Sequence, residues 1–260
     1  MEFQAIAHVH TGYPEKFGIP RQSGLIDAPG YITFESPYDD ANAFRGLEEY
    51  DRIWLIWLAD GNMNSNGKMD WRPTVRPPRL GGNDRKGIYA TRSPYHPNGI
   101  GLSCVKLLGV HIDGSDFGVA GPVVEISGMD LVDGTPLIDI KPYVPYADSF
   151  PEAKCSFATP PEDALELVLA EGIAEQFDKA NNLTNKPSKT DDISEQFANS
   201  GSDAAGPTDD LSVIIEMVRR DPRPRYQDDP KRVYGMCYKD YNIKFNVENG
   251  VAHIIEIEQA

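Results

Sequence analysis

The sequence predicts a mainly β protein: a small closed β-barrel followed by a helix, a flexible linker and a small α+β C-terminal domain. Up to about Tyr146, short runs of β-branched and aromatic residues are punctuated by Gly and Pro, with almost no helical periodicity. Closing the sheet on itself hides the edges that so many short strands would otherwise expose. Beyond Thr159 the pattern changes to a four-residue apolar repeat, then to a polar stretch, then to a short compact segment. The expected divisions are therefore 1–150 for the barrel, 151–206 for helix and linker, and 207–260 for the C-terminal domain.

Taken in order, "FQAIAHVH", "GYITF", "RIWLIWLA", "GIYATR", "LSCVKLLGVHI" and "PVVEISGMDL" read as strands. "RIWLIWLA" is apolar nearly throughout, as expected of a strand buried on both faces. Thr159, Pro160 and Glu162 form a capping box with proline in the first helical position. Leu165, Leu169, Ile173 and Phe177 then recur every four residues, predicting an amphipathic helix. From Lys179 to Gly206 the chain is polar and aperiodic, the composition of a linker. Thr208, Asp209 and Asp210 open a second helix, which Asp221 and Pro222 end after the basic turn Arg219 and Arg220. "NIKFNV" and "VAHIIEIE" flank Glu248, Asn249 and Gly250, and the Asn-Gly pair predicts a hairpin.

Composition excludes several classes of protein. The chain is 40% apolar and 25% charged, as in soluble globular proteins. No apolar run reaches the roughly 18 residues of a membrane helix, and "MEFQAIAHVHTGYPEK" lacks a basic segment followed by an apolar one. A cytoplasmic location is the expectation. Cys104, Cys155 and Cys237 are scattered and odd in number, so they read as structural rather than as a disulfide framework or metal site. His8 and His10 share a strand face, as two metal ligands would, but no third ligand declares itself and no metal is expected. The net charge of −15 argues against broad nucleic-acid binding. Charge is uneven, however. Between Trp71 and Arg92 six basic side chains (Arg72, Arg76, Arg79, Arg85, Lys86, Arg92) face one acid, Asp84, a local balance of +5. A focused basic site on an acidic body suits a partner that is anionic in one place.

Three stretches serve local folding poorly and so invite a chemical reading. In "WRPTVRPPRLGGNDRKG" the prolines remove backbone donors and fix φ, predicting a rigid loop rather than a ladder strand, with its arginines held outward. In "ATRSPYHPNGIGLS" Arg92 enters from a strand, and the glycines allow a ligand to approach bare backbone; an ordinary wide turn is the competing reading. In "GMDLVDGTPLIDIKPYVPY" Asp130 and Asp133 flank a turn at Gly134, while Asp139, Lys141 and Tyr143 alternate on one face. An acid, an amine and a phenol together can deprotonate a nucleophile. Asp139 with Lys141 can equally be a surface ion pair contributing under about 1 kcal/mol.

At these stretches the chain resembles the TsaA-like β-barrel tRNA methyltransferases, which use S-adenosylmethionine. The resemblance also covers "EKFGIPRQSGL", "FRGLEEYDRIWLI" and, near the C-terminus, "DPRPRY". It implies methylation of N6 of an adenosine beside the anticodon, at position 37, already modified to N6-threonylcarbamoyladenosine. It further implies a homodimer with the cofactor close to the subunit interface. Carried over by position, the S-adenosyl-L-methionine pocket involves Ser23, Gly24, Leu25, Arg92, Leu102 and the turn Leu131, Val132, Asp133, Gly134. Asp139 and Tyr143 become candidates for the base, and Lys141 a contact for the threonyl carboxylate or a phosphate. The tRNA contacts become Arg72, Arg76, Arg79, Arg85 and Lys86, with Arg223, Arg225 and a stacking Tyr226. This chain departs from the family pattern at Ser23 and Gly99, where proline is usual, and at Asp60, where histidine is usual; the following loop is longer. Two rival readings are a non-catalytic S-adenosylmethionine- or tRNA-binding sensor, and a metal-dependent hydrolase using His8, His10 and Asp60.

Overall fold

The computed structural model describes residues 4–63, 69–77, 80, 84–158, 164–177, 209–224 and 229–260. Six antiparallel strands close in the order β1-β2-β7-β6-β3-β8. They are β1 (Ala7–Thr11), β2 (Pro29–Phe34), β3 (Arg52–Leu58), β6 (Ile100–His111), β7 (Val123–Ser127) and β8 (Pro136–Pro142). Ala7, Val9, Ile32, Ile53, Leu55, Val105, Val124, Ile126 and Leu137 fill the interior, each inward residue alternating with an outward one.

Where this barrel departs from the strand pattern, packing gives the reason. β3 is not buried on both faces. Ile53 and Leu55 point inward, whereas Trp54 lies half-buried on the outer wall and donates through Nε1 to Asp148 Oδ2 at 3.0 Å. "GIYATR" is not a strand either: only Lys86–Gly87 (β5) pairs, with Thr74–Val75 (β4), and Ile88–Ala90 winds into a 3₁₀ turn. The proline-rich segment therefore does hold a two-residue ladder, in its single gap between Pro73 and Pro77. In β8 a bulge opposite Ile56 and Trp57 sets Leu137 against Trp57 but Asp139 against Ile56. That extra residue turns Asp139 and Lys141 outward while keeping Leu137 in the core.

The helix expected across Leu165–Phe177 is also corrected. Glu166–Leu169 is a strand, β9, running parallel to β12 (Val251–Gln259), and only residues 173–177 are helical. Leu165, Leu167 and Leu169 alternate toward the C-terminal core; the same leucines satisfy period two as well as period four, and the free edge of β12 decides between them. Thr159, Pro160, Glu162 and the linker 179–206 lie outside the described residues. The C-terminal sheet runs β10-β11-β12-β9, with β10 (Tyr234–Tyr238) and β11 (Tyr241–Glu248). Asn249 and Gly250 both take positive φ, 50° and 80°, and make the tight β11–β12 turn. Counting Pro145–Asp148 as α1, helix α2 (Asp210–Arg219) packs Val213, Ile214, Met217 and Val218 on this sheet. Its N-cap is Asp209, which accepts from Ser212 N at 2.8 Å.

Barrel and C-terminal sheet share apolar packing. Tyr13, Ile26 and Ala28, from the β1–β2 connection, belong to the C-terminal core, and Phe17, Ile19 and Leu25 pack against it. Arg21 adds two bonds, Nη2 donating to the carbonyl oxygens of Asp221 at 3.0 Å and Arg223 at 3.1 Å.

Candidate active site at one mouth of the barrel

Strand direction brings the singled-out segments together. Because neighbouring strands alternate in direction, the β1–β2, β3–β6 and β7–β8 connections all emerge at one end of the barrel. They carry "EKFGIPRQSGL", the basic segment with Arg92, and the Leu131–Gly134 turn, in that order.

The three connections are tied by hydrogen bonds. Ser23 Oγ accepts from Cys104 N at 3.0 Å, and Gly24 N donates to the carbonyl of Gly128 at 2.8 Å. Ser23, a departure from the family pattern, thus supplies through its hydroxyl a tether that proline cannot make. Arg92 is exposed and donates to Gln22 Oε1 at 2.9 Å. Asp133 is exposed and accepts from Thr11 N at 3.0 Å; its own N–H donates to Tyr13 O. Gly24 and Gly134 each adopt φ of +76° with open space where a side chain would stand, so their backbone is accessible to a ligand. Leu131 is buried in the barrel, Leu25 packs toward the C-terminal core and Val132 O accepts from Thr135, so these contribute through backbone. At Gly99, φ is +60°, a conformation that a proline ring cannot adopt.

Beneath the connections lies a polar relay that strand patterning does not reveal. Trp57 Nε1 donates to Ser103 Oγ at 3.1 Å, and Ser103 Oγ donates to Asp130 Oδ1 at 2.6 Å. Ser103 is 1% exposed, on the inward face of β6 with Val105. A serine at a core position was the available signal. Burial pushes the Asp130 carboxyl above the usual carboxylate range, against the opposing pull of Ser103, the Ser23 backbone and the Arg92 charge.

The basic segment is arranged in part by its own neighbours. Arg72 pairs with Asp70 at 3.1 Å and lies over the Tyr95 ring at 4.4 Å. Arg85 donates to Thr74 Oγ1 at 2.7 Å, Arg76 is exposed, and Lys86 sits in β5. Arg79, Arg225 and Tyr226 lie outside the described residues. Arg223 is placed differently from the others. It is 9% exposed and bonds Asp221 through Nε at 2.7 Å and Nη2 at 3.0 Å, so it braces the turn after α2 rather than reaching outward.

Asp139, Lys141 and Tyr143 run successively down the outer wall from the mouth, Asp139 nearest to it. Asp139 stands opposite Ile56, which on its other side faces Leu102 of β6, so Leu102 and Asp139 belong to one outward row. Lys141 Nζ donates to Asp139 Oδ2 at 2.5 Å, with side chains 61% and 43% exposed. Tyr143, whose N–H reaches Arg52 O at the far end of β3, instead lines a cavity of about 450 Å³ with Arg52, Trp54, Cys104 and Phe150. Among the cysteines, Cys155 is exposed, and Cys104 and Cys237 are half-buried free thiols. His8 and His10 occupy the outer face of β1; His10 bonds Thr33 Oγ1 at 2.8 Å, and Asp60 caps its own turn by accepting from Gly61 N. Among the described residues no group of three or more ligating side chains gathers to hold a metal.

A closed β-barrel with a cation-lined, glycine-bearing mouth and a C-terminal α+β unit defines a methyltransferase class distinct from doubly wound sheets. The chain belongs to the TrmO family: residues 8–149 match the tRNA-methyltransferase O N-terminal domain and residues 192–260 the TrmO C-terminal domain. It is 34% identical to the tRNA (adenine(37)-N6)-methyltransferase of Escherichia coli strain K12, over 99% of this chain and 97% of that protein. The enzyme of the same name from Eikenella corrodens is 36% identical over 79% of this chain and 95% of its own. The crystal structure of TrmO from Pseudomonas aeruginosa superimposes with a TM-score of 0.69 at 26% identity, covering 99% of this chain and 98% of that one.

Proposed function

We infer that the protein is an S-adenosylmethionine-dependent methyltransferase acting on N6 of adenosine 37 of tRNA, with N6-threonylcarbamoyladenosine as the substrate form. One observation carries the reading: the three connections that the family pattern associates with the methyl donor emerge together at one barrel mouth. The residues there suit that donor. Exposed Gly24 and Gly134 backbone can lie against a flat base, Asp133 can accept from hydroxyl or amine, and Arg92 can meet a carboxylate. When bound, the sulfonium supplies an electrophilic methyl group.

The chain's own residues then have two tasks. Holding the reacting atoms in line near about 3 Å is worth up to roughly 7–11 kcal/mol, and a mouth tethered through Ser23, Gly24 and Gln22 serves that end. As the N6–CH₃ bond forms and the S–CH₃ bond breaks, the N6 proton must leave. Asp139 is the acceptor, because it shares the outward row with Leu102 close to the mouth. Lys141 pairs with that carboxylate and meets the threonyl carboxylate. Arg76, Arg79, Arg85 and Lys86 meet phosphates. The outer wall exposes Leu102 (45%), Ile100, Leu108, Tyr146 and Phe150, an apolar surface that supports a homodimer. No described helix is long and apolar enough to cross a membrane, and tRNA processing fits the cytoplasm.

The test is transfer of labelled methyl from S-adenosylmethionine to purified tRNA. Methylated threonylcarbamoyladenosine should appear at position 37 by nucleoside mass spectrometry, and tRNA lacking the threonylcarbamoyl group should remain unlabelled. Binding of the cofactor without turnover on either tRNA would favour the sensor.

A further inference from the structure

Asp130 stands at the barrel mouth, immediately before the Leu131–Gly134 turn, and is neither a phosphate contact nor the acceptor of the N6 proton. A carboxyl group mostly removed from water is unfavourable unless its surroundings favour the anion. Here each described polar neighbour does. Indole Nε1 is a donor only, so once Trp57 donates to Ser103 Oγ, the serine proton is committed to Asp130 at 2.6 Å. The Ser23 backbone and the Arg92 charge also favour its anion. Asp130 therefore joins, through Ser103 and through the chain, strand β6 and the Leu131–Gly134 turn, with Trp57 of β3 behind the serine.

We propose that Asp130 is the positioning residue of the donor-binding mouth, its ionised carboxylate, bonded to Ser103 of β6, fixing the Leu131–Gly134 turn in the arrangement that receives S-adenosylmethionine. The proposal rests on the methyl-donor reading of the mouth, and its test separates the two. The titratable and charged groups facing Asp130 are Arg92 and Tyr13. Tyr13 is a buried phenol whose own pKa is pushed up by burial and by the Asp130 charge, so it stays neutral. Binding should therefore respond to Asp130 on the acid side. It should weaken as pH falls through a value above the ordinary carboxylate range, since burial raises this group.

The experiment is calorimetric titration of the full-length protein with S-adenosylmethionine from about pH 5 to about pH 8, bracketing the reach of a raised carboxyl. It compares the wild type with Asp130→Asn, Ser103→Ala and Asp148→Asn. Wild type and Asp148→Asn should share one acid limb. Asp130→Asn should bind roughly 10- to 100-fold more weakly near neutrality, the range for losing hydrogen bonds to a charged group, and should lose the wild-type limb. Ser103→Ala removes a donor to the anion, so its limb should move to higher pH. A residue that merely fills space would leave that limb where it was. Wild-type affinity and limb in Asp130→Asn, or an unmoved limb in Ser103→Ala, overturns the proposal. Should Asp130→Asn fail to fold by circular dichroism, the Ser103→Ala limb decides. A wild type that binds no S-adenosylmethionine at any pH overturns the donor reading and this inference with it; binding unaffected by Asp130→Asn overturns the inference alone.

Discussion

The mouth of the barrel and its outer wall hold carboxylates from one short motif in opposite circumstances. In "DLVDGTPLIDIKPY" Asp130 is drawn into a relay with Ser103 and Trp57, Asp133 caps β1 from outside, and Asp139 pairs with Lys141 in solvent. Nine residues separate the first from the last. What divides them is strand geometry: Asp130 lies in a connection above the core, and a bulge turns Asp139 away from it. Position relative to the barrel, rather than spacing in the motif, assigns each acid its chemistry.

That contrast breaks most completely at the bulge. Leu137→Asp would set a carboxylate on the inward side of that bulge, where Leu137 is fully buried in one core with Ile53 and Leu55. Burying an unpaired charge removes a large share of the usual roughly 5–15 kcal/mol of domain stability, so little or no cooperative unfolding transition should remain by circular dichroism. A milder change sharpens the contrast. Asp139→Asn removes the proposed proton acceptor, and methyl transfer should fall about 10²- to 10⁴-fold. Its urea midpoint should shift by less than about 1 kcal/mol, as for exposed ion pairs. Large loss of both would mean that the wall pair is structural. Smaller again is Arg21→Ala, at the seam between barrel and C-terminal sheet. Losing bonds to the Asp221 and Arg223 carbonyls should lower stability by roughly 1–3 kcal/mol in urea denaturation.

Much of this architecture can be read from residue patterns, because alternation and turn chemistry are local. Five of the six barrel strands (β1, β2, β3, β6 and β7), α2 and the Asn249-Gly250 hairpin follow from such signals. Errors fell where a local pattern admits two answers. Leu165, Leu167 and Leu169 fit helix and strand alike, and the unpaired edge of β12, supplied by residues far along the chain, selects the strand. The candidate site was only partly visible for the same reason. Arg92 and the Asp133 turn announce themselves by residue type, but the Trp57–Ser103–Asp130 relay joins two strands and a connection and exists only after closure. Arg223 shows the converse, a cation whose motif suggests a phosphate and whose fold gives it Asp221.

The subtlest difference between mouth and wall is the sign of their pH dependence. Asp148, on the wall, accepts from Val144 N and Trp54 Nε1, and these bonds lower its pKa. Its contribution is present above the ordinary Asp value of about 3.9 and is lost as pH falls through the lower folded value. Asp130 is raised instead, by burial. Between its unfolded and folded values the folded state binds more protons than the unfolded one, so stability falls as pH rises through that window. Urea midpoints measured across the acid range should therefore show the two asparagine variants diverging from wild type in opposite senses. Asp148→Asn should lose ground to wild type as pH rises, and Asp130→Asn should gain it, even as the latter loses its cofactor. Parallel slopes would place Asp130 among ordinary exposed acids and remove the physical contrast between mouth and wall.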